Sequence, residues 1–142
     1  MQPRDTLYRI ASAGSDYRAC HAINKALGKP GKPLHFPTVV AERDGKILGY
    51  LSTHREVTWC LMAGPLEVLT PSPFMSMRLI EAYESVLKAV GITRYCFAID
   101  KGQQGWIEQV KISGANIIAE DEKDVVFERI FPGDPYYSEQ AA

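Results

Sequence analysis

The dipeptide Asp44-Gly45 separates two β-prone runs, Thr38 to Arg43 and Lys46 to Thr53. A two-residue link between antiparallel strands takes a type I′ turn, which needs positive φ at both central residues, and Asp followed by Gly tolerates that geometry well. The pair commits the chain to an antiparallel hairpin, and the remaining elements have to be built around it.

Before the hairpin, Leu7 to Ala11 reads as a short strand. Ser15 or Asp16 then offers an N-cap to a helix with apolar positions Cys20, Ile23 and Leu27, ended by Gly28. The stretch Gly28 to Pro37 holds three prolines and two glycines and predicts an extended basic loop. After the hairpin, the apolar stretch Val57 to Thr70 is interrupted by Gly64-Pro65. Proline cannot donate to a sheet ladder, so a strand must bulge or break there. Leu79, Tyr83, Val86 and Val90, widened by Ile80 and Leu87, mark an amphipathic helix closed by Gly91. Tyr95 to Ile99 predicts a buried strand, and Trp106, Ile107 and Val110 a helix ending at Gly114. Ile117 to Glu120 and Val125 to Phe131 predict a closing hairpin across Asp121 to Asp124. The order is β-α-β-β-β-α-β-α-β-β, an α/β (α+β) class with a mixed sheet and helices on its faces. Residues 1–131 read as a single domain and 132–142 as a proline-rich arm.

The 142 residues carry 16 Lys+Arg against 17 Asp+Glu, a net charge of −1, which argues against a polyanion binder and so against nucleic acid as a partner. Hydrophobic residues make up 46% and charged residues 23%, the balance of a soluble globular chain. A core of this size buries roughly 68% of the unfolded surface without disulfide or metal staples. Cys20, Cys60 and Cys96, widely spaced and odd in number, fit neither a disulfide framework nor a zinc site. The start of the chain lacks the apolar core of a secretory signal, and no apolar run reaches membrane-spanning length. The expectation is a soluble cytoplasmic protein of a cell or of a virus replicating in one, with no membrane partner.

The element order, with the strand ending Leu66-Glu67-Val68 leading through a turn into the strongest helix, resembles the GNAT superfamily of acyl-CoA-dependent N-acetyltransferases. The resemblance runs from about Leu7 to Phe131. Val40 to Glu42, Asp44 to Lys46 and Ile47 to Tyr50 look like that family's central hairpin, and Gly114-Ala115 sits where the family usually has Gly-Phe. It implies a mostly antiparallel central sheet of six to seven strands with helices on both faces. It also implies that Gly64-Pro65 bulges the fourth strand and opens a cleft lined by Leu66, Glu67 and Val68, where the pantetheine arm of acetyl-CoA adds to the strand. The acyl acceptor would be an amine of a small molecule or a protein.

At the implied pyrophosphate site the chain departs from the family. There a glycine-rich turn lets successive N–H groups surround phosphate at a helix N-terminus. Here no glycine occurs between Gly64 and Gly91, and the corresponding segment is Thr70 to Arg78. Ser72, Ser76 and Arg78 are left as phosphate partners, while Pro71 and Pro73 remove donors. Val110 stands where many members carry a tyrosine that protonates the leaving thiolate, Gln103 where they often carry asparagine, and Ala63 near a glutamate that some use as general base.

By chemistry alone, Glu67 on the cleft strand and His54 at the end of the hairpin are the candidate catalytic groups, joined by Glu56, since amine acylation needs a proton acceptor. The commoner role of each such residue is that of a solvated polar group near a strand end. Tyr50 and Trp59 read as acceptor-pocket walls or as core, and Tyr83 as packing. Cys20 and His21 point about 100° apart on a helix and cannot pair, and the histidines have no metal-ligand spacing. Lys29, Lys32 and His35 on the basic loop read as contacts for an anion or as exposed surface. The alternative is a non-catalytic GNAT-like structural module. From Trp59 onward the chain is loosely similar to GNAT-like internal virion proteins of short-tailed phages. In that reading the arm from Pro132 to Tyr137 docks onto another copy or onto virion subunits.

Overall fold

The computed structural model describes residues 5–29, 33–54 and 61–137. Its elements follow the expected order: β1 (Leu7–Ile10), α1 (Gly14–Ala26), β2 (His35–Arg43), β3 (Lys46–His54), β4 (Met62–Val68), α2 (Pro73–Ala89), β5 (Arg94–Asp100), α3 (Gln104–Ile112), β6 (Asn116–Glu120) and β7 (Asp124–Ile130). Seven strands hydrogen-bond in the order β1-β2-β3-β4-β5-β7-β6. The described ladders are antiparallel, except for a parallel pairing of β4 with β5 at Met62↔Cys96. The chain divides into two compact units, residues 1–54 with 64–90, and residues 55–63 with 91–142.

In the first unit the hairpin forms as its turn residues dictate, with φ 52° at Asp44 and 75° at Gly45. Successive side chains of β2 and β3 point to opposite faces. Val40 and Tyr50 join Ala11, Cys20 and Ile23 in a core beneath α1, with Leu34 and Leu69 packed against it. Thr53 points the other way, where its hydroxyl meets the Tyr83 hydroxyl of α2 at 2.8 Å. α2 buries Met75, Leu79, Tyr83 and Leu87, a stripe at helical spacing. Tyr83 is therefore packing, as its place in the stripe predicts.

Two local expectations change. α1 begins at Gly14 after Ala13, with no side-chain cap. Asp16 instead turns inward, accepting two hydrogen bonds from the Arg9 guanidinium at 2.9 Å and one from the Ser12 N–H at 2.9 Å, while Arg9 also reaches Glu42 at 2.8 Å. Hydrogen bonding from Arg9, against the opposing cost of burial, holds the Asp16 carboxyl down to about 2. The predicted loop is also shorter, because β2 starts at His35 and runs through Phe36-Pro37. Pro37 is fully buried, and its carbonyl accepts from the Thr53 hydroxyl at 2.7 Å.

The second unit is built on the antiparallel strands β5, β7 and β6, with β7 of the closing hairpin lying between the other two. Its core is Ile107, Ala115, Val125 and Phe127, joined by Phe97, Ile99 and Val110, with Phe97 and Phe127 stacked at 5.6 Å. The Asp121 carboxylate accepts the N–H groups of Lys123 and Asp124 and so forms the hairpin turn. Beyond β7 the arm is tied to its own unit. Asp134 is buried, takes both arms of the Arg94 guanidinium at 2.7 and 2.9 Å, and accepts from the Thr93 hydroxyl at 2.6 Å. Cys96 is disulfide-bonded, contrary to the expectation that no disulfide forms; Cys20 is free and buried, and Cys60 lies outside the described residues. Among the described residues no helix is long and apolar enough to cross a membrane.

Candidate functional site

All the predicted site residues, His54, Leu66, Glu67, Val68, Ser72, Ser76 and Arg78, fall in the first unit. Glu56 and Trp59 lie outside the described residues, as does Lys32.

β4 is the central element. It does not break at Gly64-Pro65 but runs through it, with Gly64 at φ 137°, a conformation that suits glycine and few other residues. Its described parallel pairing is confined to Met62↔Cys96, where the Cys96 N–H donates to the Leu61 carbonyl at 2.8 Å. On its other side β4 lies close against β3. The Leu69 N–H donates to the Leu48 carbonyl at 2.9 Å, and a Cβ placed on Gly49 would stand 2.7 Å from Val68 Cγ1 and 3.0 Å from the Glu67 carbonyl. From Gly64 to Val68 the strand therefore has a well-supported β3 side and an edge with no described ladder. Such an edge can hydrogen-bond an extended ligand through the main chain.

Alternation separates the three predicted lining residues. Leu69 packs beneath α1, and Glu67, two residues earlier, points to the same face. There its carboxylate meets Lys29 Nζ at 2.9 and 3.1 Å, just past the end of α1. Leu66 and Val68 project from the opposite face, so the three share a backbone edge but not a common side-chain surface. Lys29, singled out as a contact for an external anion, thus has an internal one. No local periodicity links positions 29 and 67, so the pair is invisible in the sequence.

The start of α2 is closed by its own residues. Ser72 is the N-cap, and its Oγ accepts from the Met75 N–H at 3.1 Å, while the Ser76 N–H already donates to the Ser72 carbonyl at 3.0 Å. A helix start exposes about four N–H positions. Pro73 has none and that of Met75 is taken, which leaves those of Ser72 and Phe74. Arg78 is engaged as well. Its guanidinium stands 5.8 Å from the Tyr8 ring centroid and 5.7 Å from that of Phe74, and pairs with Glu81 at 3.3 Å. Both rings escaped the sequence reading, although Phe74 lies four residues before Arg78, at the spacing that brings helix side chains together. Ser76 is half-buried.

His54 ends β3 and is half-buried, one residue after the Thr53–Tyr83 contact. Tyr50 is core rather than pocket wall: it is fully buried, and its hydroxyl donates to Asn24 Oδ1. Burial, then the Asp16 charge, pushes the Cys20 thiol up to about 12, so it is no nucleophile. Among the described residues no three His, Cys, Asp or Glu side chains are grouped to hold a metal.

No family model matches the chain, and no curated protein matches it by sequence. Solved structures do. An N-acetyltransferase from Staphylococcus aureus Mu50 superposes with a TM-score of 0.67 at 15% identity, over 89% of this chain and 98% of that one. A ribosomal-protein-alanine N-acetyltransferase from Brucella melitensis gives 0.68 at 15%, over 88% and 99%. The PaiA N-acetyltransferase from Thermoplasma acidophilum, solved with coenzyme A, gives 0.56 at 14%, over 66% and 60%. The fold is that of these enzymes, and the expected class, sheet and element order hold.

Proposed function

We propose that this chain, which has the GNAT fold, is an acyltransferase that moves an acetyl group from acetyl-CoA to an amine. The observation that carries the reading is the edge of β4 from Gly64 to Val68, a main-chain surface without a described ladder. The arm of a pantetheine thioester is amide-bearing and extended, and it fits such an edge as an added strand does. The thioester supplies an activated acyl group. As the amine nitrogen bonds to the acyl carbon, the C–S bond breaks, the sulfur leaves as thiolate and takes up a proton, and the nitrogen gives one up.

The chain's own part is to align the donor along β4 and to accept the amine proton. His54, half-buried at the end of β3, is the group we assign to that acceptance; Glu67 is paired with Lys29 and directed to the α1 face. Such a base contributes at least about 100-fold. Acetyl transfer from acetyl-CoA to a panel of amines tests the assignment: His54→Ala should lose about that factor in kcat/KM with the fold intact. A folded variant at full rate would remove His54 from the role.

The alternative is a non-catalytic module in an assembly, including a virion. Glu67, the carboxylate on the cleft strand, is committed to an ion pair. Absence of transfer to every amine, together with recovery of the protein in a particle, would favour that reading.

A further inference from the structure

The nucleotide end of coenzyme A does not fit the start of α2. Pro71 and Pro73 offer no N–H, and the Met75 N–H is spent on the Ser72 cap. Arg78, in the second turn of α2, already lies by the Tyr8 and Phe74 rings and pairs with Glu81. Beside Arg78, α2 turns apolar side chains outward at this end, with Phe74 70% and Met77 45% exposed. A nucleotide carrying a diphosphate and a 3′-phosphate needs several donors or cations to offset its lost hydration, and the Ser72 and Phe74 amides are a small supply. The β4 edge from Gly64 to Val68 by contrast keeps its main-chain groups except the N–H that Pro65 lacks.

We infer that the acyl donor is recognised as a pantetheine thioester, with its nucleotide end left ungripped. This rests on the acyltransferase reading above and narrows it: any donor presenting that arm serves, whether it ends in a nucleotide or not. Recognition then lies in main-chain hydrogen bonds along β4, with little contribution from charge.

Calorimetry on the full chain with three probes, acetyl-CoA, acetyl-pantetheine and adenosine 3′,5′-bisphosphate, tests this. The expected result is that the two thioesters bind within about threefold of each other and that the bisphosphate gives no heat. Acetyl-CoA affinity should also stay flat between low and high salt, since no ion pair is made. Acetyl-CoA binding more than about threefold tighter than acetyl-pantetheine, or binding of the bisphosphate, overturns the inference and leaves the acyltransferase reading standing. No binding by either thioester overturns that reading and the inference with it.

Discussion

Asp16 shows how one side chain can carry a role that its sequence position disguises. An acidic residue early in a helix suggests a cap or a favourable charge at the positive end of the dipole. In the structure it is buried and receives both arms of Arg9, a residue on a strand before the helix. The Asp16 carboxyl sits near 2 instead of its ordinary 3.8, so the folded state favours its charged form. The stabilisation is fully present above pH 3.8 and is lost as the pH falls through about 2. Its size follows from the shift and is on the order of 2 kcal/mol. Asp16→Asn should therefore be destabilised near pH 7, with the gap from the parent protein closing between about pH 4 and pH 2. Urea unfolding at stepped pH reads this directly, and a gap that stays constant down to pH 2 would exclude the linkage. Gly49 makes a second residue-scale point. Its value lies in a missing Cβ that allows β4 to approach β3, and nothing in the hairpin pattern announces that neighbour.

At the scale of elements, helix α2 joins the legible and the illegible parts of the chain. Its apolar stripe is plain in the sequence because Leu79, Tyr83 and Leu87 recur at helical spacing and end buried. The state of its first turn is not plain, since Ser72 can cap the helix or meet a ligand, and the choice depends on the path of the preceding loop. The structure gives it the cap. Ser72→Ala should then cost about 1 kcal/mol of stability and leave acyl-thioester affinity unchanged, measured by urea unfolding and calorimetry on the same samples. Weakened binding at unchanged stability would mean that the hydroxyl serves a ligand instead. The terminal arm has the same ambiguity. Pro132 to Tyr137 carries no core pattern, yet the buried Asp134 fastens it to Thr93 and Arg94, some 40 residues earlier.

For the whole molecule, the element order was readable because each element has its own local signal: the Asp44-Gly45 turn, the α2 stripe and the acidic turn before β7. Division into two units was not, because it depends on which distant elements pack together, and β4 contributes to both. The candidate site was legible as a strand, β4, but not as a set of partners. Its decisive contacts, Lys29 with Glu67 and Gly49 with Val68, are long-range. The reading of β4 as a ligand edge has a consequence for the stability of the entire chain. A ligand that binds only the folded state stabilises it by about 2.7 kcal/mol at a concentration 100 times its Kd. The unfolding entropy of a chain this long is roughly 0.3 kcal/mol/K, so acetyl-CoA at that concentration should raise Tm by about 9 °C. The rise should grow with the logarithm of ligand concentration, because each further decade adds about 1.4 kcal/mol. Melting curves across three decades of acetyl-CoA check this, and a Tm that stays flat to millimolar ligand would rule out acyl-CoA as a ligand of the folded chain.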